Sequence, residues 1–432
     1  MIKGLQHQIM NILALNCGSS SIKYSVFNWE KQEALGRGVV ERIGIVGSFI
    51  RHERPGHEPL IVNSECPNHQ EAIKIITSTI LDPNVGIIKY ISEINAVGHR
   101  VVHGGEKFKS SVRIDSEVLE AIKAVKDLAP LHNPPNIAGI EAAQALLPGV
   151  AHIAVFDTAF HQTMPERAYL YAVPYEWYGM YGVRRYGFHG TSHLYVSRRA
   201  AVMLGKRPNQ TNLITMHIGN GASVCAVKNG ESIDTSMGLT PLEGVVMGTR
   251  SGDLDPAIIL FMIEKEGFYA EQIDSILNKK SGLLGITGKY MDRRDIEKAA
   301  EEGDKRCQLA VEIESYRLKK YIGSYKAALG KVDAIVFTAG AGELNWKLRE
   351  KVLSDLEHLG IKFDRIKNQM AVARDKESDI SADGSEVKVL VIPTDEERVF
   401  IEDVVAILGG KYETHTKFTY SFEDHNYKRK AA

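Results

Sequence analysis

Short runs of alternating apolar and polar residues predict strands along the chain, and longer runs with helical spacing separate them. Residues 12–15 are apolar, residues 16–21 form a small polar turn, and residues 22–26 alternate, so strand, turn and strand are expected. The same pattern returns at residues 212–227, before an Asn229-Gly230 hairpin turn. This recurrence predicts a duplicated domain, with chance repetition of a short pattern as the alternative.

The remaining pattern predicts an α/β layer in both halves. Helical spacing covers residues 70–81, 116–128, 137–147, 295–329 and 398–408, and strands are expected at 36–41, 47–51, 60–62, 152–156, 333–337 and 387–392. Two prolines predict a shaped loop at residues 131–136, because proline removes a donor and restricts the residue before it. Thr394 and Glu397 have the spacing of a capping box for the last helix.

Length and charge limit the possible classes of protein. A chain of 432 residues is too long to fold around one hydrophobic core, so two or three domains are expected. With 53 Lys and Arg against 54 Asp and Glu, the net charge of −1 offers no field for nucleic acid or an anionic membrane. We expect residues 1–8 to be a loose extension and the polar tail from residue 414 to fray.

The four cysteines are scattered, without the spacing of a zinc or redox motif. They are Cys17, Cys66, Cys225 and Cys307. Free thiols are typical of a reducing compartment, and the sequence has neither a signal peptide nor a stretch of membrane-spanning length. A soluble, cytoplasmic protein is therefore expected.

Small polar residues at the first turn are suited to binding an anion. Gly18 allows close approach of a ligand, Ser19 and Ser21 offer hydroxyl groups, and Lys23 adds a positive charge. A polar hairpin at a sheet edge is the alternative reading, since small residues fill most tight turns. Several other strands also end in polar loops, and in open α/β sheets such strand ends form the ligand crevice.

Seven segments, in this order, resemble those of the acetate kinase family, which belongs with sugar kinases, actin and heat-shock ATPases. They are residues 16–23, 98–105, 131–136, 156–161, 185–193, 240–253 and 338–343. The resemblance extends from about residue 11 to about residue 409. It implies an α/β fold of two duplicated actin-like, ribonuclease H-like domains with a catalytic cleft between them. The expected boundaries are 1–157 with 397–432 for the acetate side, and 158–396 for nucleotide binding and dimerisation.

The family transfers a phosphoryl group reversibly from ATP to acetate, giving acetyl phosphate and ADP. Acetate is ionised at neutral pH, so the reaction needs no general base, and the obstacle is repulsion between two anions. Positioning and positive charge should then dominate catalysis. The resemblance implies Mg²⁺, with Mn²⁺ as an alternative, ATP and ADP as substrates, a homodimer, and neither nucleic acid nor membrane as a partner.

The resemblance also assigns roles to individual residues. Arg100 and Arg250 would bind the acetate carboxylate and the transferring phosphoryl group, and His189 would donate to the phosphoryl oxygens. Asp157 is a further catalytic candidate, and Mg²⁺ would be held by Asn16, Asp157 and Glu396. Asn16, Ser19, Ser21, Lys23 and His132 would face the phosphoryl group. The acyl methyl group would lie against Val102, Leu131, Phe188 and Pro241.

The nucleotide is expected on the second half of the chain. Its candidate ligands, besides Lys23, are His217, Ile218, Gly219, Asn220, Gly221, Asp292, Arg293, Arg294, Gly340, Ala341, Gly342, Glu343 and Leu344. The chain departs from the family at Asp395, where asparagine is usual, at Leu344, and at residues 289–291. These departures affect the expected metal and adenosine sites.

Each assignment has a structural alternative. Arg100 and Arg250 could each be a structural arginine that donates hydrogen bonds to loop carbonyls, and His189 could be packed in a core. Asp157 could form a turn at the end of a strand, and Glu396 could lie at the start of a helix. A propionate or other short-chain acyl kinase is the alternative function in the same class, because one methylene changes binding by only about 1–3 kcal/mol. A nucleotide-switched binding module, like actin and the chaperones, is the alternative in a different class.

Overall fold

Two compact units make up the chain in this computed structural model, which describes residues 10–130, 132–372 and 374–429. Unit 1 contains the described residues 10–130, 132–159, 395–421 and 428–429, and unit 2 contains 160–372, 374–394 and 422–427. The predicted loose extension and Leu131 lie outside the described residues. Within the described ranges, no helix combines the length and apolar character needed to cross a bilayer.

The secondary structure alternates between strands and helices, as the pattern predicts. The strands are β1 (Asn11–Cys17), β2 (Ser21–Asn28), β3 (Glu33–Glu41), β4 (Phe49–Glu53), β5 (Leu60–Asn63), β6 (Ile94–Val101), β7 (Val112–Arg113), β8 (Ala151–Phe156), β9 (Asn212–Ile218), β10 (Ala222–Lys228), β11 (Glu231–Thr235), β12 (Ala334–Thr338), β13 (Ser378–Asp379) and β14 (Lys388–Val391). The helices are α1 (His69–Leu81), α2 (Ser116–Ala124), α3 (Asn133–Leu146), α4 (Glu166–Tyr169), α5 (Tyr175–Tyr181), α6 (Gly190–Met203), α7 (Ala257–Glu266), α8 (Ala270–Lys279), α9 (Gly282–Thr287), α10 (Arg293–Glu301), α11 (Lys305–Leu329), α12 (Ala339–Leu344), α13 (Trp346–Leu353), α14 (Arg365–Met370) and α15 (Glu396–Leu408).

One sheet organises each unit. In unit 1 the strand order is β5-β4-β3-β2-β1-β6-β8-β7, and in unit 2 it is β11-β10-β9-β12-β14-β13. In both, the central strand pairs antiparallel with the strand that follows it and parallel with a later one. Six strands therefore correspond in order, and the predicted duplication of an α/β domain is confirmed.

Helices cover the sheet of unit 1 because its strands carry apolar residues on both faces. One core joins β1 and β2 to α1 through residues such as Leu13, Tyr24 and Ile76. A second core joins β1, β6 and β8 to α15. At Gly98 of β6, a β-carbon would lie 2.3 Å from the ring of Phe400, so glycine is what allows α15 to pack this closely.

Three predictions about local structure are corrected. The helix expected over residues 116–128 ends at Ala124, and a short 3-10 helix covers Lys126–Leu128. The loop expected at residues 131–136 is wrong from Asn133 onward, because α3 begins there. Pro134 and Pro135 lie in the first turn of α3, where no helical bond is lost with the missing N–H.

The capping box predicted for α15 is also wrong. Asp395 is the cap: its side chain accepts a hydrogen bond from the Arg398 N–H, 3.0 Å away. The Thr394 N–H instead donates to Glu343, and Glu397 accepts a hydrogen bond from Ser25. Thr394 and Glu397 thus form hydrogen bonds with residues distant in sequence and do not form the capping box. The helix α15 begins at Glu396, two residues before the predicted start at residue 398.

Candidate active site

Three adjacent parallel strands of unit 1 end in polar side chains. Leu15 pairs with His99 and Arg100 pairs with Val155, so Asn16, Arg100 and Asp157 lie at the same edge of the sheet. The Arg100 Nε and Nη2 atoms donate to the two Asp157 carboxylate oxygens at 2.9 and 2.7 Å. This fork fixes the plane of the guanidinium and leaves its Nη1 edge for another acceptor.

Charge is concentrated around this ion pair. Burial raises the pKa of Asp157, and the Arg100 guanidinium pulls it back. Asp157 in turn raises the pKa of Arg100, and Glu396 adds to that effect, so Glu396 also lies within electrostatic reach. One guanidinium therefore balances two carboxylates at this end of the sheet.

Two buried asparagines at the start of α3 brace the loop that follows Arg100. Asn136 accepts a hydrogen bond from the Val102 N–H at 3.0 Å and donates to the Cys17 carbonyl at 2.7 Å. Asn133 bonds both the N–H and the carbonyl of His103. The sequence analysis did not single out these two asparagines. The available signal was their position on either side of a proline pair, in a segment that also contains candidate ligands.

The first turn is a tight hairpin between β1 and β2. Asn16 pairs with Lys23 across β1 and β2, and the Gly18 N–H donates to the Ser21 carbonyl at 2.8 Å. Ser19 and Lys23 are exposed. Their positions leave the serine hydroxyl and the lysine ammonium accessible to a ligand.

Glu396 and its neighbours lie at the first turn of α15. Glu396 is half-buried and follows the Asp395 cap. The extra charge of Asp395, where the resemblance leads one to expect asparagine, has an arginine beside it: Arg429 Nε lies 3.5 Å from its carboxylate. The departure is thus compatible with the cap, because Asp and Asn both cap helices.

The second turn, in unit 2, is held from two sides. Its Gly219 N–H donates to the Gly221 carbonyl at 3.0 Å. Arg293 Nη1 donates to the Gly219 carbonyl at 2.7 Å, while its other nitrogen atoms bind the buried Glu314. The Gly248 N–H donates to the Asn220 carbonyl at 3.0 Å. Arg293 therefore has a structural contact with the turn in addition to its expected place beside adenosine.

Arg250 and His189 lie beside Gly221 of this turn. A β-carbon at Gly221 would lie 3.3 Å from Arg250 Nη1 and 3.6 Å from His189 Nε2. The hydrogen bonds of Arg250 go to the Pro241 carbonyl at 3.4 Å and the Met247 sulfur at 3.7 Å. Burial lowers its pKa, and no carboxylate in the described part of the chain forms an ion pair with it. A half-buried guanidinium that has no counter-ion among the described residues is suited to an anionic ligand.

His189 has an unusual backbone conformation directly before α6. Its φ of 58° is left-handed, which is uncommon for a residue other than glycine and concentrates at functional sites. The ring stacks on His217, with centroids 4.1 Å apart, and its Nδ1 lies 2.8 Å from the Ser223 hydroxyl. Stacking on His217 and the contact with Ser223 therefore both orient the ring.

The expected nucleotide loop forms the short helix α12. The fully buried Arg349 donates to the Gly342 and Glu343 carbonyls at 2.8 and 2.9 Å and so fixes the end of this loop. Asp292 caps α10 and pairs with the exposed Arg294. Gly340 is exposed and Leu344 half-buried, so the segment remains accessible at its first turn.

Donor chemistry in unit 1 fits Mg²⁺. The described residues contain no cluster of three or more His, Cys, Asp or Glu that would hold a metal alone. Asp157, Glu396 and the Asn16 amide are instead hard oxygen donors at one sheet edge. Mg²⁺ typically takes one or two carboxylates and completes its shell with water and substrate phosphates.

Comparison with known proteins decides the family. A model of the acetokinase family matches residues 11–402. The acetate kinase of Geobacter sulfurreducens is 64% identical over 98% of this chain and 100% of its own length, and that of Treponema pallidum is 55% identical over 98% and 94%. The chain belongs to the acetokinase family. The resemblance drawn from the seven segments is confirmed.

Solved acetokinase structures share the fold. The Porphyromonas gingivalis acetate kinase superposes with a TM-score of 0.88 at 49% identity, covering 92% of this chain and all of that one. A propionate kinase from Francisella tularensis gives 0.85 at 41% identity, covering 91% and 99%. The expected α/β fold class is therefore confirmed.

Within this acetokinase, the structure brings several predicted residues together inside each unit. Arg100 contacts Asp157, His217 stacks on His189, and Arg250 bonds Pro241. Val102 and Phe188 are buried, His132 is half-buried, and Leu131 lies outside the described residues. The roles of all these residues in binding and catalysis stay predictions.

Proposed function

We propose that this protein is an acetate kinase that transfers the terminal phosphoryl group of ATP directly to acetate, reversibly. The observation that carries the proposal is Arg250, a half-buried guanidinium with no carboxylate partner among the described residues, beside His189 and a glycine turn. These groups suit a reaction in which both reactants are anions. A nucleotide-switched binding module would need the turn but not this arginine.

In the proposed reaction, an acetate oxygen attacks the terminal phosphorus of ATP. A new oxygen–phosphorus bond forms, the bond to the bridging oxygen breaks, and ADP leaves with the electron pair. Acetate is already ionised, so no side chain needs to remove a proton. Arg250 and His189 then donate to the equatorial oxygens, where negative charge spreads in the transition state.

Arg100 is proposed to orient acetate. Its Nε and Nη2 are bound to Asp157, so the remaining Nη1 is aimed by a fixed guanidinium plane. Val102, on the loop braced by Asn136, is proposed to contact the methyl group of acetate. Leu131, Phe188 and Pro241 complete the proposed acyl pocket, and Asp157 thus acts partly as a positioning residue.

Asp157, Glu396 and Asn16 are proposed to hold Mg²⁺, or Mn²⁺ in its place. When bound, the ion would neutralise charge on the nucleotide phosphates. ATP and ADP are proposed to bind the His217–Gly221 turn, the residues of α12, and Asp292, Arg293 and Arg294. Ser19, Ser21, Lys23 and His132 are proposed to face the phosphoryl group.

We also propose a homodimer, with a second copy of this chain covering α7. Although mostly apolar, α7 contains no buried residue, and Ile258, Leu260 and Phe261 are about half or more exposed. Such a surface is typical of protein interfaces. Light scattering of the wild-type protein should give twice the chain mass, and Phe261→Glu should lower the measured mass. A wild-type protein with the mass of one chain would contradict the proposal.

The four free thiols suit the proposed cytoplasmic location.

The function is tested by trapping the product. Purified protein is incubated with ATP, Mg²⁺, hydroxylamine and, in separate reactions, acetate, propionate or butyrate. The proposal predicts hydroxamate formation that depends on the acid and is fastest with acetate. A faster reaction with propionate would favour the alternative acyl kinase, and the absence of hydroxamate with every acid would overturn the proposal.

A further inference from the structure

Thr215, His193, Ser223 and His189 of unit 2 form a hydrogen-bonded series, here called the line, which ends at His189. Thr215 Oγ1 lies 2.7 Å from His193 Nδ1, and His193 Nε2 lies 2.8 Å from Ser223 Oγ. Ser223 Oγ also lies 2.8 Å from His189 Nδ1. Thr215, His193 and Ser223 are completely buried, so water does not compete for these bonds.

The line follows from three secondary-structure elements. His189 and His193 are four residues apart at the start of α6, where the His193 N–H donates to the His189 carbonyl. Thr215 lies on β9, and Ser223 lies on the paired strand β10, opposite His217. Contact between α6 and β9 places the two imidazoles against the two hydroxyl groups.

Two proton arrangements satisfy the line. His193 is buried and its pKa lies well below the usual value, so its ring is neutral and carries one N–H. The Ser223 hydroxyl has a single proton, so it donates to one histidine and accepts from the other. Protons therefore point either from Thr215 towards His189, or from His189 towards Thr215.

The anionic phosphoryl group proposed to bind beside His189 favours the first arrangement. Arg250 Nη1 and His189 Nε2 both lie next to Gly221, so the guanidinium disfavours a positive charge on the His189 ring. Of the described titratable groups, His217 stacks on this ring and His193 reaches it through Ser223. In the second arrangement, a neutral His189 would direct a lone pair at an anionic phosphoryl group.

We propose that Thr215, His193 and Ser223 are positioning residues that hold His189 as the neutral tautomer with its proton on Nε2. Thr215 donates to His193 Nδ1, His193 Nε2–H donates to Ser223, and Ser223 donates to His189 Nδ1. The Nε2–H of His189 is then directed at the transferring phosphoryl group. The choice of this tautomer and this last step both rest on the proposed function, whereas the hydrogen-bonded series itself does not.

The tautomer is tested directly by nitrogen NMR of the full-length protein with ¹⁵N-labelled histidine, without substrate. The expected spectrum shows the His189 proton on Nε2 and a bare Nδ1. A proton on Nδ1 in the wild-type protein would overturn the proposal. The measurement requires no variant, so it does not depend on any substitution folding.

Kinetics then test the consequence. Ser223→Ala should lower kcat at least 10-fold, with KM for ATP changed by less than 2-fold. Thr215→Val, which keeps the shape of the side chain, should lower kcat about 3- to 10-fold and shift the His189 proton towards Nδ1, and Thr215→Ser should restore both. The control Thr235→Val removes another buried strand hydroxyl, bonded to the Val224 carbonyl, and should leave kcat unchanged.

The outcomes separate the two proposals. Equal kcat in Thr215→Val, Thr235→Val and wild type would overturn the positioning role. A protein with the predicted tautomer that forms no acyl phosphate would overturn the proposed function while supporting the tautomer assignment.

Discussion

Arg250→Ala is the substitution that distinguishes a catalytic arginine from a structural one. Among the described residues, the Arg250 side chain makes two long hydrogen bonds, to the Pro241 carbonyl and the Met247 sulfur, and burial lowers its pKa. Removing it should therefore leave the free energy of unfolding within about 1 kcal/mol of wild type, since two hydrogen bonds of 3.4 and 3.7 Å contribute little. A structural arginine would give the opposite result.

The expected effect on catalysis is much larger. One guanidinium that donates to a charged transition state contributes about 3–4 kcal/mol, which corresponds to a fall of about 10²–10³ in kcat/KM. Nucleotide affinity, measured by calorimetry, should change little, because the nucleotide turn is held by Arg293 and Gly248. Added guanidinium at low concentration should restore part of the activity of the alanine variant.

Hydroxamate formation with saturating ATP provides the assay, and unfolding in urea provides the stability measurement. Arg37→Ala is a suitable control, because Arg37 is an exposed arginine bonded to Glu53. A folded Arg250→Ala protein whose kcat/KM remains within about 3-fold of wild type would refute the reasoning.

Three further predictions concern buried polar groups of unit 1. Arg100→Ala should reduce the free energy of unfolding by about 3–5 kcal/mol, besides abolishing turnover, because it leaves Asp157 buried without its partner; unchanged urea stability would contradict this. Asn136→Ala should lower the melting temperature and raise KM for acetate. The Val102 N–H and the Cys17 carbonyl each lose a hydrogen-bond partner, and each loss should reduce the free energy of unfolding by about 1–3 kcal/mol. An unchanged KM would show that Asn136 does not shape the acetate site. Burial raises the pKa of Asp403 from 3.8 to about 7, so the folded state prefers the protonated carboxyl group. The free energy of unfolding should therefore fall by up to about 4 kcal/mol as the pH rises from about 4 to about 7. Urea unfolding at several pH values should show a weaker pH dependence for Asp403→Asn than for wild type, and equal slopes would refute the assignment.

Periodicity was sufficient for the strands that carry the site. The hairpin at β1 and β2 and its repeat at β9 and β10 were predicted because alternation and small polar turns are local signals. The parallel partners β12 and β14 were equally clear as buried apolar runs. The family segments then predicted which strand ends bind ligands.

Local rules failed where tertiary contacts or alternative caps compete. Pro134 and Pro135 were read as helix breakers, although proline is tolerated in the first turn of a helix. At α15 the spacing of Thr394 and Glu397 fitted a capping box, but Glu343 and Ser25 bond these residues and Asp395 caps the helix. No local pattern contains those partners.

The polar network behind His189 was likewise invisible in the sequence. Thr215, His193 and Ser223 belong to different elements, and each alone resembles an ordinary buried polar residue. Only the packing of α6 on β9 and β10 brings them into one line. Their spacing, with two histidines four residues apart, was the only local indication.

The central claim is direct transfer of a phosphoryl group to a carboxylate, and phosphorus NMR tests it most directly. Purified protein is mixed with ATP, Mg²⁺ and carboxyl-¹³C-labelled acetate, and ³¹P and ¹³C spectra are followed together. Acetyl phosphate and ADP should appear in equal amounts, with a ¹³C–³¹P coupling that proves the new bond. ADP accompanied only by inorganic phosphate, or ATP left unchanged, would contradict the account.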